Sequence, residues 1–172
     1  ELTFEEQFEI LDYRCSEGDP VACFNVALIY ESMAGDQTIV GKAVAYYKKS
    51  CELGGPEGCL NLGVKHYLGE EVPLDKRLAF KLYKSACQDR MVQACFNLGM
   101  MYSNGEGTSV NKQKAAKVYK KACKEDIPLN LSCNNLGLMY ATGDGIDKDD
   151  ALAAKYYQRA CDSGDFQGCI NL

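Results

Sequence analysis

Nine residues, Ala94-Cys95-Phe96-Asn97-Leu98-Gly99-Met100-Met101-Tyr102, return along the chain with little change. They recur as Ser132-Cys133-Asn134-Asn135-Leu136-Gly137-Leu138-Met139-Tyr140 and as Ala22-Cys23-Phe24-Asn25-Val26-Ala27-Leu28-Ile29-Tyr30. A third relative is Gly58-Cys59-Leu60-Asn61-Leu62-Gly63-Val64-Lys65-His66, and Gly168-Cys169-Ile170-Asn171-Leu172 begins a further copy. A second set of cysteines keeps the same rhythm. Cys15, Cys51, Cys87 and Cys123 are 36 residues apart, and Cys123 to Cys161 is 38. A two-residue insertion in Glu125-Asp126-Ile127-Pro128-Leu129-Asn130-Leu131 accounts for the longer step. A fixed period of this length means stacked supersecondary units that bury a continuous core only against their neighbours.

Each period holds two helical patterns. In the first, the Leu, Gly and Tyr of the motif fall at i, i+1 and i+4, one face at about 3.6 residues per turn. A Gly inside a helix costs about 1 kcal/mol against Ala, so Gly63, Gly99 and Gly137 imply close approach of a neighbouring helix. Ala27 is the next smallest choice there. Turn residues follow, Ser103-Asn104-Gly105-Glu106-Gly107 and Ala141-Thr142-Gly143-Asp144-Gly145, with Gly69 and Pro73 in the second repeat. The second helix carries Ala43, Tyr47 and Ser50, repeated as Ala79/Tyr83/Ala86, Ala115/Tyr119/Ala122 and Ala153/Tyr157/Ala160, again one face. Its last turn is basic (Lys48, Lys49, Lys84, Lys120, Lys121, Arg159). That suits the negative end of the helix dipole by about 0.3–1 kcal/mol each and reads as a solvated helix end. The segment from Glu5 to Cys15 aligns with a second helix but has Gln7, Leu11 and Arg14 in place of Ala, Tyr and Ala/Ser. It reads as a cap or divergent end repeat. The expected organisation is one array over 1–172, with a half-repeat at 1–21, full repeats at 22–57, 58–93, 94–131 and 132–167, and the start of another at 168–172.

Ten cysteines in 172 residues, Cys15, Cys23, Cys51, Cys59, Cys87, Cys95, Cys123, Cys133, Cys161 and Cys169, read as a disulfide framework of an oxidising compartment. Packing alone does not require two cysteines in every period. The spacing leaves two pairings open: short pairs such as Cys15–Cys23, or links across one hairpin such as Cys23–Cys51. The net charge of -5 argues against nucleic acid, and no apolar run is long enough for a membrane span. The chain opens on Glu1 and stops inside a repeat, which reads as a processed or trimmed chain.

The motif A-C-x-N-L-G-x-x-Y, then G-x-G, then A-x-x-Y-Y-K-K-A-C resembles the Sel1-like repeats, relatives of the tetratricopeptide fold. The paired cysteines at the junction of one helix with the next look like those of the Helicobacter cysteine-rich proteins. The resemblance implies an all-α, right-handed α/α superhelix, or solenoid, of disulfide-stapled helix pairs. It implies the short pairs Cys15–Cys23, Cys51–Cys59, Cys87–Cys95, Cys123–Cys133 and Cys161–Cys169. It also implies a secreted or periplasmic protein, with the mitochondrial intermembrane space as the alternative. Ala27 for Gly, His66 for Tyr and the missing G-x-G of the first two loops are departures from the pattern.

That family implies penicillin binding or weak β-lactamase activity as an alternative function, with a β-lactam or peptidoglycan-derived ligand. The only S-x-x-K, Ser109-Val110-Asn111-Lys112, lies in an inter-helix loop, and K-T-G and S-D-N are absent. Ser109 is therefore not expected to be catalytic, and no catalytic residue is assigned. His66 is the lone histidine, at a Tyr position, and reads as a packed, hydrogen-bonded residue. C-x7-C does not match zinc spacing. Asp144 to Asp150 lacks the ligand order of a calcium loop and reads as a turn plus an acidic helix start. G-x-G lacks the strand and Lys of a phosphate loop. Neither metal nor cofactor is expected. The cysteines lack the C-x-x-C of exchange-active thiols.

Binding remains. Solenoids present extended concave surfaces, here expected to be lined by the first helices. Asn25, Asn61, Asn97, Asn135 and Asn171 recur there. Asn is a mediocre helix former, and its amide donates and accepts at once. Two readings stay open: a ladder for a peptide backbone, or ties between neighbouring repeats. Phe24, Leu60 and Phe96 run beside it, with Asn134 and Ile170, and so do Leu28, Val64, Met100 and Leu138. The expected function is an extracytosolic scaffold whose partner is a protein or peptide.

Overall fold

A computed structural model describes residues 2–33, 37–124 and 130–172 of the protein. The described residues form ten helices and no strand. The chain divides into two compact units, Glu1–Asp89 and Arg90–Leu172. The first holds α1 (Phe4–Ser16), α2 (Pro20–Ser32), α3 (Gln37–Glu52), α4 (Pro56–Leu68) and α5 (Lys76–Gln88). The second holds α6 (Val92–Asn104), α7 (Lys112–Lys124), α8 (Asn130–Thr142), α9 (Asp150–Asp162) and α10 (Phe166–Asn171). The nine-residue motif lies on the even-numbered helices, each starting two residues before it. The insertion expected between Cys123 and Cys133 falls on 125–129, outside the described residues.

Local chemistry sets where the helices begin. Asp19 accepts from the N–H groups of Val21 at 2.9 Å and Ala22 at 3.1 Å, with Pro20 at the first helical position. Asp75, Asn111 and Asp149 do the same for α5, α7 and α9, each accepting at 2.9 Å from the N–H three residues on. Such a cap is worth about 1 kcal/mol. At the far end, Gly69 and Gly105 stop α4 and α6 in the left-handed region, at φ 72° and 74°.

Two devices join the helices. From a motif helix to the next, the carbonyl of the ninth motif residue accepts from the capping residue. The pairs are His66 with Asp75 at 2.9 Å, Tyr102 with Asn111 at 2.8 Å and Tyr140 with Asp149 at 3.0 Å. In the other direction disulfides close the connection. They are Cys15–Cys23, Cys51–Cys59, Cys123–Cys133 and Cys161–Cys169, with Cα atoms 4.6, 4.5, 5.0 and 4.6 Å apart. Cys87 and Cys95 are likewise disulfide-bonded, and no cysteine is free. By loop entropy each short staple contributes about 2.5 kcal/mol.

The core follows from one packing rule. The motif glycine lies under the tyrosine of the next helix. A Cβ on Gly63 would sit 2.7 Å from the Tyr83 ring, one on Gly99 2.5 Å from Tyr119, and one on Gly137 2.7 Å from Tyr157. In the first repeat Ala27 occupies that place and is fully buried with Tyr47 and Leu62. The recurring alanines on the same helix faces (Ala43, Ala79, Ala115, Ala153) are buried as well. Helix α1 has Leu11 where its siblings have tyrosine, and Leu11 packs on Cys15, Ala22 and Cys23 beside Tyr46. Burial and a hydrogen bond to Asp12 push the Tyr46 hydroxyl up to about 12. No helix among the described residues is long and apolar enough to cross a membrane.

Candidate functional site

Asn61 and Asn135 meet tyrosines of the preceding repeat. Asn61 hydrogen-bonds the Tyr47 hydroxyl, and Asn135 hydrogen-bonds the Tyr119 hydroxyl. Burial pushes both phenols up, and the asparagine bond works against it. Both asparagines are half-buried at the junction of two repeats, one junction in each unit. Around these two pairs the units diverge.

In the first unit the Tyr47 hydroxyl donates to Glu31 Oε2 at 2.5 Å. Lys65 Nζ lies 2.7 Å from Glu31 Oε1 and 2.9 Å from Glu71 Oε2, with only 11% of its side chain exposed. Burial alone would raise the Glu31 carboxyl, but hydrogen bonds from Lys65 and Tyr47 hold it below its ordinary value. Burial would lower the Lys65 ammonium, and the two carboxylates hold it above its ordinary value. Glu71 adopts φ 66°, the left-handed region that disfavours residues with a Cβ. A quartet of one ammonium, two carboxylates and a phenol therefore occupies this junction.

In the second unit the same junction is a cleft of about 520 Å³ lined by Met100, Ser103, Lys112, Tyr119, Asn135 and Leu138, among others. Its floor is the Tyr119–Asn135 pair. At its rim Lys112 Nζ lies 2.7 Å from Asp144 Oδ2 and donates to Ser103 Oγ at 3.1 Å. Met139 is buried behind it, whereas Leu138 is 51% exposed. Of the helices that line the cleft, α6 and α8 contain no charged residue, and α7 contributes Lys112 and Tyr119.

The sequence matches the Sel1 repeat four times, at residues 20–55, 56–89, 92–126 and 130–165. The chain belongs to the Sel1 repeat family. Among solved structures it is similar to a protective antigen of uropathogenic Escherichia coli described as displaying an SLR fold. The identity is 27% and the TM-score 0.84, over 94% of this chain and 34% of that one. A Sel1 repeat protein from Oxalobacter formigenes matches at 26% identity and TM-score 0.80, over 88% of this chain and 62% of that one. Helicobacter pylori cysteine-rich protein B matches at 30% identity and TM-score 0.62, over 81% and 98%. The chain thus spans about a third of the E. coli protein. No curated protein matches in the sequence comparison. The Sel1 matches begin two residues ahead of the repeat boundaries drawn from the motif, where the motif helices start.

This Sel1 array is an all-α, disulfide-stapled helical scaffold, and its departures from the repeat are informative. Asn97 accepts from Gln93 Nε2 at 3.2 Å, and Asn171 donates to Asn134 Oδ1 at 3.0 Å. Asn25 is half-buried, but Leu11 at the tyrosine position offers it no hydroxyl. Phe24 and Phe96 rest on Tyr47 and Tyr119, with ring centroids 5.8 and 6.2 Å apart, and Leu60 is half-buried. His66 Nδ1 lies 3.1 Å from the Pro73 carbonyl. Ser109 is exposed, and the lysine of its S-x-x-K is the Lys112 bonded to Ser103 and Asp144. Asp144, Asp149 and Asp150 serve an ion pair, a helix cap and an ion pair with Lys148.

Sequence patterns alone did not single out Glu31, Lys65, Glu71, Ser103, Lys112 or Asp144 as partners in a site. One signal was present: Lys65 stands where the other repeats have Ile29, Met101 and Met139. Glu71 stands where they have Gly107 and Gly145, both at positive φ.

Proposed function

We propose that this Sel1 array is a protein- or peptide-binding scaffold of an oxidising compartment outside the cytosol, and that the motif-helix face is its binding surface. The observation that carries the reading is the cleft over Tyr119 and Asn135. It joins amide and hydroxyl groups to exposed aliphatic surface on two helices that bear no charge. Specific sites typically combine a mostly apolar wall with a few placed polar groups in clefts of about 300–1,000 Å³. Leu28 in the first unit is likewise exposed, at the position that corresponds to Leu138. The ten oxidised cysteines support the compartment.

The test is a random-sequence peptide array probed with the oxidised chain and two variants. Leu138→Glu puts a charge on the motif face, and Lys117→Glu reverses one at an exposed position of α7. Retained peptides lost with Leu138→Glu and kept with Lys117→Glu are the expected result. The reverse pattern moves binding to the other face. Nitrocefin turnover tests the penicillin alternative, and with Ser109 exposed and Lys112 already engaged no turnover is expected.

A further inference from the structure

The cleft of the second unit has a chemistry that selects among peptides, a property that rests on the peptide-binding reading above. We propose that it is a subsite for an uncharged stretch of peptide centred on one aliphatic side chain, with Lys112 and Asp144 together reading a backbone amide.

Three observations carry this. The first is charge. The two rim charges face each other at 2.7 Å, α6 and α8 add none, and of the basic helix α7 only Lys112 and Tyr119 line the cleft. An acidic ligand side chain would meet Asp144 and a basic one Lys112, each losing hydration with no net countercharge in return. A peptide amide meets no such conflict. The Lys112 ammonium has three protons. Among the described residues Asp144 and Ser103 take two, and the third can go to a peptide carbonyl. The second oxygen of Asp144 can accept the neighbouring peptide N–H. A donor and an acceptor side by side, with no net charge, complement an amide.

The second observation is rigidity. A Cβ on Gly145 would fall 2.0 Å from Lys112 Cβ, so the loop that carries Asp144 rests directly on the Lys112 stem. The φ of Gly145, 77°, also lies in the region that favours glycine. The backbones that carry the pair are therefore fixed against each other, and the side chains that meet across them are 31% and 48% exposed.

The third is the wall. Met100 and Leu138 line the cleft beside Tyr119, with Met139 buried at its back. Thioether side chains adapt their shape to an apolar guest, and this wall suits a Leu, Ile or Met anchor. In the first unit the matching positions of Ser103, Met139 and Asp144 are Glu31, Lys65 and Glu70, so the subsite belongs to the second unit alone.

The experiment uses the full oxidised chain and three fluorescein-labelled peptides with blocked ends. Each is built of Gly, Ser and Asn around a central Leu, flanked by Asn, by Glu or by Lys. Fluorescence anisotropy should show the Asn-flanked peptide binding about tenfold more tightly than either charged one. Leu138→Glu, at an exposed position, should remove that binding while the melting point holds. Asp144→Asn leaves the Lys112 charge uncompensated and should turn the preference towards the Glu-flanked peptide. A wild-type preference for the Glu- or Lys-flanked peptide overturns the proposal, as does an unchanged ranking in Asp144→Asn. Binding that ignores both variants removes this subsite and leaves peptide binding elsewhere on the face intact. Binding of none of the three removes the peptide-binding reading and the subsite with it.

Discussion

The junction of α2 with α4 and the junction of α6 with α8 use the same positions and fill them with opposite chemistry. Where the second unit has Ser103, Met139 and Gly145, the first has Glu31, Lys65 and Glu71. In the second unit a thioether is buried behind an open cleft. In the first an ammonium is clamped by two carboxylates over the same Tyr–Asn pair. The three changes make sense only together. Lys65 buried alone would cost several kcal/mol. Glu71 has no local reason to take a left-handed backbone, yet there its carboxylate reaches Lys65. A repeat scaffold thus accepts a charge in its core when partners arrive from the neighbouring repeat and from the following loop.

The sharpest way to break the comparison is Lys65→Met, which imports the residue of the second unit without its surroundings. It strands Glu31 and Glu71, and a loss of about 2 kcal/mol or more in denaturant unfolding is expected, at the low end for a buried pair because Glu31 is partly exposed. Adding Glu31→Ser and Glu71→Gly completes the exchange and should restore stability to the wild-type level or above. A neutral Lys65→Met would mean the quartet is solvated decoration.

Gly99→Ala probes the shared part of the two junctions. A helix gains about 1 kcal/mol from Ala over Gly, while overpacking costs about 1–3 kcal/mol. With Tyr119 2.5 Å from the new Cβ, a net loss is expected. In the first repeat, where Ala27 is native, Ala27→Gly should also be destabilising. A gain in Gly99→Ala would show that the Tyr119 ring shifts freely, and a gain in Ala27→Gly would show that the native methyl is crowded.

Acid should separate the units further. The Glu31 carboxyl is held below its ordinary value, so its contribution is complete above about 4.5 and fades as pH falls through the lower folded value. Lys65 is held above its ordinary value. Its contribution is complete below about 10.5 and fades as pH rises through the higher folded value. Hydrogen exchange in α2 and α4 should therefore lose more protection on acidification than exchange in α6 and α8. Equal losses would count against the quartet as the cause.

The smallest effects concern the asparagines. Asn61→Ala and Asn135→Ala each remove a neutral hydrogen bond to a tyrosine and should cost about 1 kcal/mol in melting experiments. Asn25→Ala, facing no tyrosine hydroxyl, should cost close to nothing. If all three fall equally, the tyrosine bond is not what holds the position.

Most of the scaffold was legible in the sequence because local rules write it. The close approach at the glycines and the glycine turns each lie within one period, and the period repeats them. The two roles of the asparagine could not be separated in that way, since Tyr47 and Tyr119 belong to the repeat before. The quartet was hidden for a similar reason. Glu31, Lys65 and Glu71 come from two repeats and a loop, and none is unusual until its partners are known. Lys65 at a Met position was the visible clue. The cleft depends on Ser103, Lys112 and Asp144, which read as ordinary loop and helix-end residues until the fold sets them around Asn135.

The two devices that join the helices also give the chain an uneven covalent map. A cut between Cys15 and Cys23, or between Cys51 and Cys59, opens a closed ring, and the two pieces remain one molecule. A cut between Tyr102 and Asn111, where a main-chain hydrogen bond closes the turn, severs a single strand. Limited proteolysis followed by a non-reducing denaturing gel should therefore release fragments only from cuts in the second kind of connection. Nicks in the first kind should stay silent until a reductant is added. A protein wired in this way can lose peptide bonds at its stapled corners and keep every part attached.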